Sequence, residues 1–278
     1  MSDRSALNIL VFGAHPDDPD ASAGGTAALW AEQGHRVKFV SLTNGDAGHH
    51  EIGGVELAKR RHAEAQNVAK VLGLVEYQLL DNHDGELEPT LPNRRQVIRI
   101  IREFHPDLIL TPRPNDYHPD HRYTSVLVQD AAYMVTVPNI VSLTEHLQRN
   151  PVIAYVADRF RHPYPFTPDI AVDVGSAIEK KLDALHCHTS QMYEWLPYNA
   201  GISSEVPDGE AARREWLAKS RTGRSSQLAE RYRDVLTRWY GDRRAAQVQV
   251  AEAFEICEYG SQPNEAELRR LFPFFPAS

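Results

Sequence analysis

Short, unbroken apolar runs alternate along the first half of the chain with longer stretches whose apolar residues recur at helical spacing. The runs at residues 8–12, 37–42, 77–80 and 107–110 are too short for helices and suit buried strands. Between them lie helical patterns over 23–33, stopped by Gly34, over 56–72, stopped by Gly73, and over 94–104. A further helix is predicted over about 123–134. Strands separated by single helices predict an α/β fold with a doubly wound, mostly parallel sheet. The second half is less regular. Strands are expected at 152–156, 170–174 and 251–257, and helices at 177–188, 210–221 and 227–239, before an apolar, proline-broken tail from Leu271 to Pro276. With no internal repeat or low-complexity linker, one domain is expected over 1–278. Its core would run from about 7 to 191, with an irregular C-terminal extension over about 192–278.

Polar clusters sit where the predicted strands end. Ala14-His15-Pro16-Asp17-Asp18 follows the first strand, Thr43-Asn44-Gly45-Asp46 the second, Asp81-Asn82-His83-Asp84-Gly85 the third, and His118-Pro119-Asp120-His121 comes soon after the fourth. In open α/β sheets ligands bind at this carboxyl edge. Asp17 and Asp18 are adjacent and point in different directions, so one can bind a metal while the other faces a substrate. Two nitrogens and one oxygen drawn from the His15 and His118 clusters would make a His2Asp zinc site with an open position, as in catalytic centres. The competing reading is that both clusters are helix starts, with carboxylates capping free N–H groups. His105-Pro106-Asp107 repeats the tripeptide but precedes its strand, at the opposite edge, and receives no catalytic role.

Composition narrows the classes. A net charge of −8 argues against nucleic acid as a partner, because phosphate binding relies on a basic face. Cys187 and Cys257 are too few and too far apart for a disulfide framework or a thiolate zinc site. No apolar run approaches the ~20 residues of a membrane span. Met1-Ser2-Asp3-Arg4 leads directly into the first strand without a visible signal peptide, so a cytoplasmic protein is expected. A homo-oligomer is compatible with the sequence, which leaves that state open.

The quoted clusters, together with Gly24-Gly25-Thr26, Arg61 with Glu64, and His186-Cys187-His188-Thr189-Ser190-Gln191, resemble the PIG-L / LmbE-like zinc deacetylases across roughly residues 7–191. The resemblance implies a Rossmann-like fold and hydrolysis of an N-acyl group, typically from an N-acetylglucosamine unit carrying an aglycone. It implies Zn2+ held by His15, Asp18 and His121, Asp17 as general base, and His118 facing the leaving side. Zinc polarises a carbonyl and lowers the pKa of bound water from about 15.7 toward about 7. A carboxylate can then take and return the proton, and an imidazolium at His118, raised by a carboxylate such as Asp120, can steady the oxyanion. Asp120 is read as tuning an imidazole from outside the ligand set, or as a helix-start carboxylate.

By the same resemblance Asp84 is expected to meet sugar hydroxyls and Arg61 an anionic or polar part of the substrate, with Arg60 as the ordinary surface charge. Asp46 supports the zinc loop or holds a turn, and His188 either enters the site or is structural. Tyr117, His49 and His50 are rim candidates. One departure is Pro19-Asp20, where many members have an apolar residue and Glu, so support of the first loop is expected to differ. Another is Asp116-Tyr117, where a tyrosine used elsewhere in the family does not align cleanly. Two other readings stand beside the deacetylase: an amidase acting on a thiol conjugate or another N-acyl compound, and a non-catalytic sugar- or nucleotide-binding module. The second lacks a Gly-x-Gly-x-x-Gly after the first strand.

Overall fold

A computed structural model describes residues 6–276; Met1-Ser2-Asp3-Arg4, where no signal peptide was seen, lies outside them. Seven strands form one sheet in the order β3-β2-β1-β4-β5-β7-β6. They are β1 (Asn8–Gly13), β2 (Arg36–Thr43), β3 (Glu76–Asn82), β4 (Leu108–Thr111), β5 (Val152–Val156), β6 (Ile170–Asp173) and β7 (Ala251–Ile256). The first five pair in parallel, and β7 runs antiparallel between β5 and β6. The fold is therefore α/β with a mostly parallel, doubly wound sheet, as predicted. The central strands β1, β4 and β5 are nearly all apolar because both faces of the sheet are covered there. One core cluster gathers Ile9, Val11, Val37, Phe39 and Trp30, and the other gathers Leu10, Phe12, Val40, Ile98 and Leu127 on the opposite face.

The chain leaves β1 toward β2 and β3, then returns to place β4 on the other side of β1. At this reversal the connections at the carboxyl edge diverge and open a crevice. Four helices cover this half: α1 (Asp18–Glu32), α2 (Gly54–Leu72), α3 (Leu91–Phe104) and α4 (Pro119–Met134). α1 and α4 begin earlier than the apolar periodicity suggests. Pro19 and Pro119 occupy first-turn positions, where a missing N–H costs nothing. The helix starts thus take in Asp18 and His121, and the strand-end clusters and the helix N-termini are the same residues.

Downstream lie α5 (Ile178–Cys187), a π-helical turn (Ser190–Trp195), α6 (Leu196–Asn199), α7 (Glu210–Arg231), α8 (Arg233–Tyr240), α9 (Asp242–Ala245) and α10 (Glu265–Leu271). The two helices predicted at 210–221 and 227–239 divide differently. α7 continues through Gly223 because Leu217, Ser225 and Ala229 are buried on one face, which outweighs the glycine's propensity. The tail packs inward, with Phe272 and Phe274 against Trp30 and Phe275 stacked 4.5 Å from Trp239. Among the described residues no helix is long and apolar enough to cross a membrane.

β7 also brings a charge into the core. The buried Glu252 carboxylate accepts from Gly25 N (2.9 Å), Thr26 N (2.8 Å), Thr26 Oγ1 (2.5 Å) and Lys181 Nζ (2.7 Å). It thereby joins α1, α5 and β7 at one point. Glu252→Gln would leave the Lys181 ammonium buried without its counter-charge, and such uncompensated charges cost about 3–5 kcal/mol. Urea denaturation should show a lower midpoint at unchanged slope; a loss below about 1 kcal/mol would show that the pair does not hold these elements together.

Candidate active site

The crevice is built from the ends of β1 and β4. Gly13 ends β1 where a Cβ would lie 2.5 Å from Pro19 Cδ, so only glycine lets α1 turn back so tightly. Asp18 Oδ2 accepts from the backbone N–H groups of Ala14 (3.0 Å) and His15 (2.8 Å), folding the carboxylate onto the strand end. His15 Nδ1 lies 3.3 Å from Asp18 Oδ2 and 3.2 Å from His121 Nε2, and His121 Nε2 lies 3.4 Å from Asp18 Oδ2. Ligand bonds of about 2.0 Å in a tetrahedral site place neighbouring ligand atoms about 3.3 Å apart. The three atoms therefore fit one small cation.

The outer nitrogens of both imidazoles face carboxylates. His15 Nε2 is 3.0 Å from Asp84 Oδ1 and 3.5 Å from Asp120 Oδ2, and His121 Nδ1 is 3.2 Å from Asp116 Oδ2. Such partners fix the ring orientation of metal-ligating histidines and raise their basicity. Asp120 also accepts from Gly85 N (2.7 Å) and Leu87 N (3.2 Å), so it anchors the loop that carries Asp84. Asp116 Oδ1 accepts from His118 N at 2.9 Å. Asp116 was not a candidate in the sequence; its place two residues before His118 was the signal.

Charge follows from this crowding. Burial opposes an imidazolium at His15, but Asp120, Asp18 and Asp84 outweigh it and lift His15 well above its ordinary value. His121 is raised in the same way, burial being overcome by Asp18 and Asp116. Burial would raise Asp18, yet His121 and His15 drive it far below the usual carboxylate range. The cluster thus favours positive charge at its centre, as a cation site must. His118 goes the other way. Burial, then the charges of His15 and His121, push it down, outweighing Asp120 and Asp84, which raise it. The geometry agrees. His118 caps α4, its Nδ1 accepting from Asp120 N at 3.2 Å, and protonating that nitrogen would break the bond. Its remaining N–H is on Nε2.

Arg61 is buried rather than open to a substrate. Its Nη2 donates to Asp17 Oδ1 at 2.7 Å, and its Nη1 donates to Gly45 O at 3.3 Å and sits 3.8 Å from Asp84 Oδ2. Gly45 has φ 71°, and a Cβ there would strike the guanidinium at 2.5 Å. Arg60 is no free surface charge either, since it chelates Glu194 at 2.7 and 2.6 Å. Asp46 accepts from Asp84 N (3.0 Å) and pairs with His83 Nδ1 (2.6 Å), so it shapes the Asp84 loop instead of meeting substrate. His188 has no exposed surface and bonds Asp20 at 2.5 Å beneath the first loop, which removes it from the substrate face. Tyr77 OH donates to the other Asp20 oxygen at 3.1 Å, and Glu64 holds Thr189 and Ser190. At the rim, Tyr117 is exposed beside His118 and His121, His49 pairs with Glu194 at 2.9 Å, and His50 stacks 3.9 Å from Tyr198.

A profile of the family described as PIG-L, GlcNAc-PI de-N-acetylase, matches residues 10–132, the segment that carries both clusters. Diacetylchitobiose deacetylase of Thermococcus kodakarensis is 32% identical over 204 residues, covering 68% of this chain and 74% of that protein. In three dimensions the chain is similar to N,N'-diacetylchitobiose deacetylase from Pyrococcus horikoshii, with TM-score 0.71, 24% identity, and 92% and 85% of the two chains covered. It is also similar to the 4-carboxy-2-hydroxymuconate hydratase GalB from Pseudomonas putida, with TM-score 0.72, 20% identity, and 92% and 98% covered. The fold alone therefore does not decide the chemistry. The sequence match, the motif-bearing segment and the architecture together place this chain in the PIG-L family.

Proposed function

We propose that the chain is a zinc-dependent hydrolase that removes an N-acetyl group from an N-acetylglucosamine-containing or related amino-sugar derivative. One observation carries this reading: the donor triangle of His15, Asp18 and His121, at 3.2–3.4 Å, with Asp17 next to Asp18 in the chain and its carboxylate held by Arg61 at 2.7 Å. The deacetylase named as a relative supports the substrate class.

His15 Nδ1, Asp18 Oδ2 and His121 Nε2 would hold the zinc, which when bound supplies Lewis acidity to the acyl carbonyl and acidifies the attacking water. Asp17 takes the proton from that water and returns it to the departing amine. Arg61 occupies Asp17 Oδ1 and so leaves Oδ2 for the proton. His118, with Nδ1 committed to the Asp120 N–H, donates through Nε2 toward the developing oxyanion.

The direct test is an amine-release screen of the zinc-loaded protein over N-acetylglucosamine, its α-glycosides, N-acetylated disaccharides and cysteinyl conjugates. Acetate and free amine should appear in equal amounts with the sugars. Turnover confined to the thiol conjugates would favour the amidase reading, and water addition to an unsaturated carboxylate without amine release would replace both.

Three variants test the roles. His121→Ala should lose most of the bound zinc while keeping its circular dichroism, because two protein donors rarely retain the ion; full stoichiometry in that variant would discard the ligand set. Asp17→Asn should keep its zinc and lose about 10²–10⁴ in turnover, whereas loss of metal would mean that the roles of Asp17 and Asp18 are exchanged. Asp116→Asn should weaken zinc affinity about 10–100-fold in a competitive chelator titration, and an unchanged affinity would reduce Asp116 to a loop contact.

A further inference from the structure

α7 and the loop after β5 carry three arginines that the reaction proposed above does not use. α7 carries Arg221 and Arg224 three residues apart, on one helix face. Arg224 Nη2 donates to Ala157 O at 3.0 Å, which fastens that face to the loop leaving β5. Two residues further along this loop is the exposed Arg159. The next residue, Phe160, has its ring 6.2 Å from Tyr117, whose own ring lies 5.8 Å from His118 and 6.1 Å from His121. Two rings, Tyr117 and Phe160, thus connect the histidines to the loop that carries Arg159 and binds Arg224.

Among the described residues no carboxylate pairs with these three side chains. The nearest in sequence, Asp158, is chelated by Arg113 at 2.7 Å through both oxygens. Arg214, on the same helix, is by contrast answered by Asp183 and Glu179. Solvent reaches Arg224, yet the enclosing protein and the like charge of Arg159 push its guanidinium below its ordinary value, with Asp18 among the charges that resist. Arg221 is pushed down by burial and by Arg224, and Asp17 resists. The charges that answer them act without pairing: Asp17 on Arg221, and Asp18, Asp158 and Glu252 on Arg224.

Three guanidinium groups gain nothing from a neutral sugar, whose hydroxyls compete poorly with water for them. A carboxylate or phosphate matches their planar donors and relieves their mutual repulsion. We infer that Arg159, Arg221 and Arg224 form an anion-binding subsite, so that the substrate of this chain carries a carboxylate or phosphate outside its N-acyl group. The inference rests on the deacetylase reading and narrows its substrate class.

The test uses matched ligands: the carboxymethyl α-glycoside of N-acetylglucosamine, its neutral carbamoylmethyl isostere, and N-acetylglucosamine 1-phosphate. Acetate release by the zinc-loaded enzyme should favour the carboxymethyl glycoside or the phosphate over the isostere by about ten- to hundredfold in kcat/KM, chiefly through KM. This is the range of one charge-assisted hydrogen bond. The favoured arm tells carboxylate from phosphate. Arg224→Gln and Arg159→Gln should each bring the ratio toward one. Lys219→Gln, which removes a charge paired with Glu215 at 2.8 Å on the outer face of α7, should leave it intact. Calorimetric binding to zinc-free enzyme repeats the comparison without turnover. If no ligand releases acetate but anion-selective binding persists and falls in Arg224→Gln, the subsite stands and the deacetylase reading fails. A ratio near one in the unaltered enzyme, or a preference that survives both arginine substitutions, would overturn the inference.

Discussion

Two imidazole nitrogens and a carboxylate oxygen lie 3.2–3.4 Å from one another, an arrangement that positive charge among them favours. In the protein by itself that charge is protons, which is why His15 and His121 are both raised while Asp18 is driven down. The surrounding shell fits the same demand. Asp84, Asp116 and Asp120 are all held below the usual carboxylate range, chiefly by His15 and His121 acting against burial. A divalent ion would meet the requirement with neutral imidazoles, exchanging protons for metal without moving the carboxylates. The structure around the crevice reads as the means of keeping these donors in place. Gly13 admits the turn, Asp18 ties itself to the strand end, and Asp120 fixes the loop bearing Asp84.

Much of this was legible in the sequence because it is local. An apolar run followed by a polar cluster marks a strand end from a handful of residues, and all seven strands were anticipated within about two residues at most termini. The helix starts were less legible. The clusters before α1 and α4 read either as sites or as caps; both prove to be helix starts, with Pro19 and Pro119 in their first turns, but only His118 makes a side-chain cap, and Asp17 makes none. His118 shows the consequence: the bond that makes it a cap is also the bond that selects its tautomer. What could not be read was burial of charge. Arg60 and Arg61 differ by about 100° on α2, and only the packing of the Gly45 loop decides which of them is enclosed. A buried arginine is rare enough that sequence alone favours the solvated reading. For His188 and Asp46 two readings stayed open for the same reason, their partners Asp20 and His83 being distant in sequence.

The departure at Pro19-Asp20 is informative in this light. Asp20 is fully buried and raised by burial, with His188 and Tyr77 answering its two oxygens. It lies in the first turn of α1, just after Asp17 and Asp18. A shorter carboxylate here works because His188 approaches to 2.5 Å from the segment after α5, and Glu64 holds that segment through Thr189 and Ser190. α2 thus supports the first loop twice, directly through Arg61 and indirectly through Glu64.

The segment after residue 192 is where pattern gave least and structure adds most. β7 enters the sheet between β5 and β6, so that part of the chain supplies an interior strand. Through Glu252 it grips Gly25 and Thr26 of α1, two turns below the aspartates that face the crevice. α7 packs across the same region and carries Arg221 and Arg224 toward the loop after β5. The two contributions are separable. The Glu252 contact acts on the body of α1 and so on the donor triangle, whereas the arginines project from a helix surface and touch none of the donors. Substitutions along α7 can therefore change the charge carried toward the loop after β5 without altering the donor triangle, as expected where a shared scaffold serves different chemistries. The hydratase shares this architecture, so the frame by itself does not fix what a site built on it does.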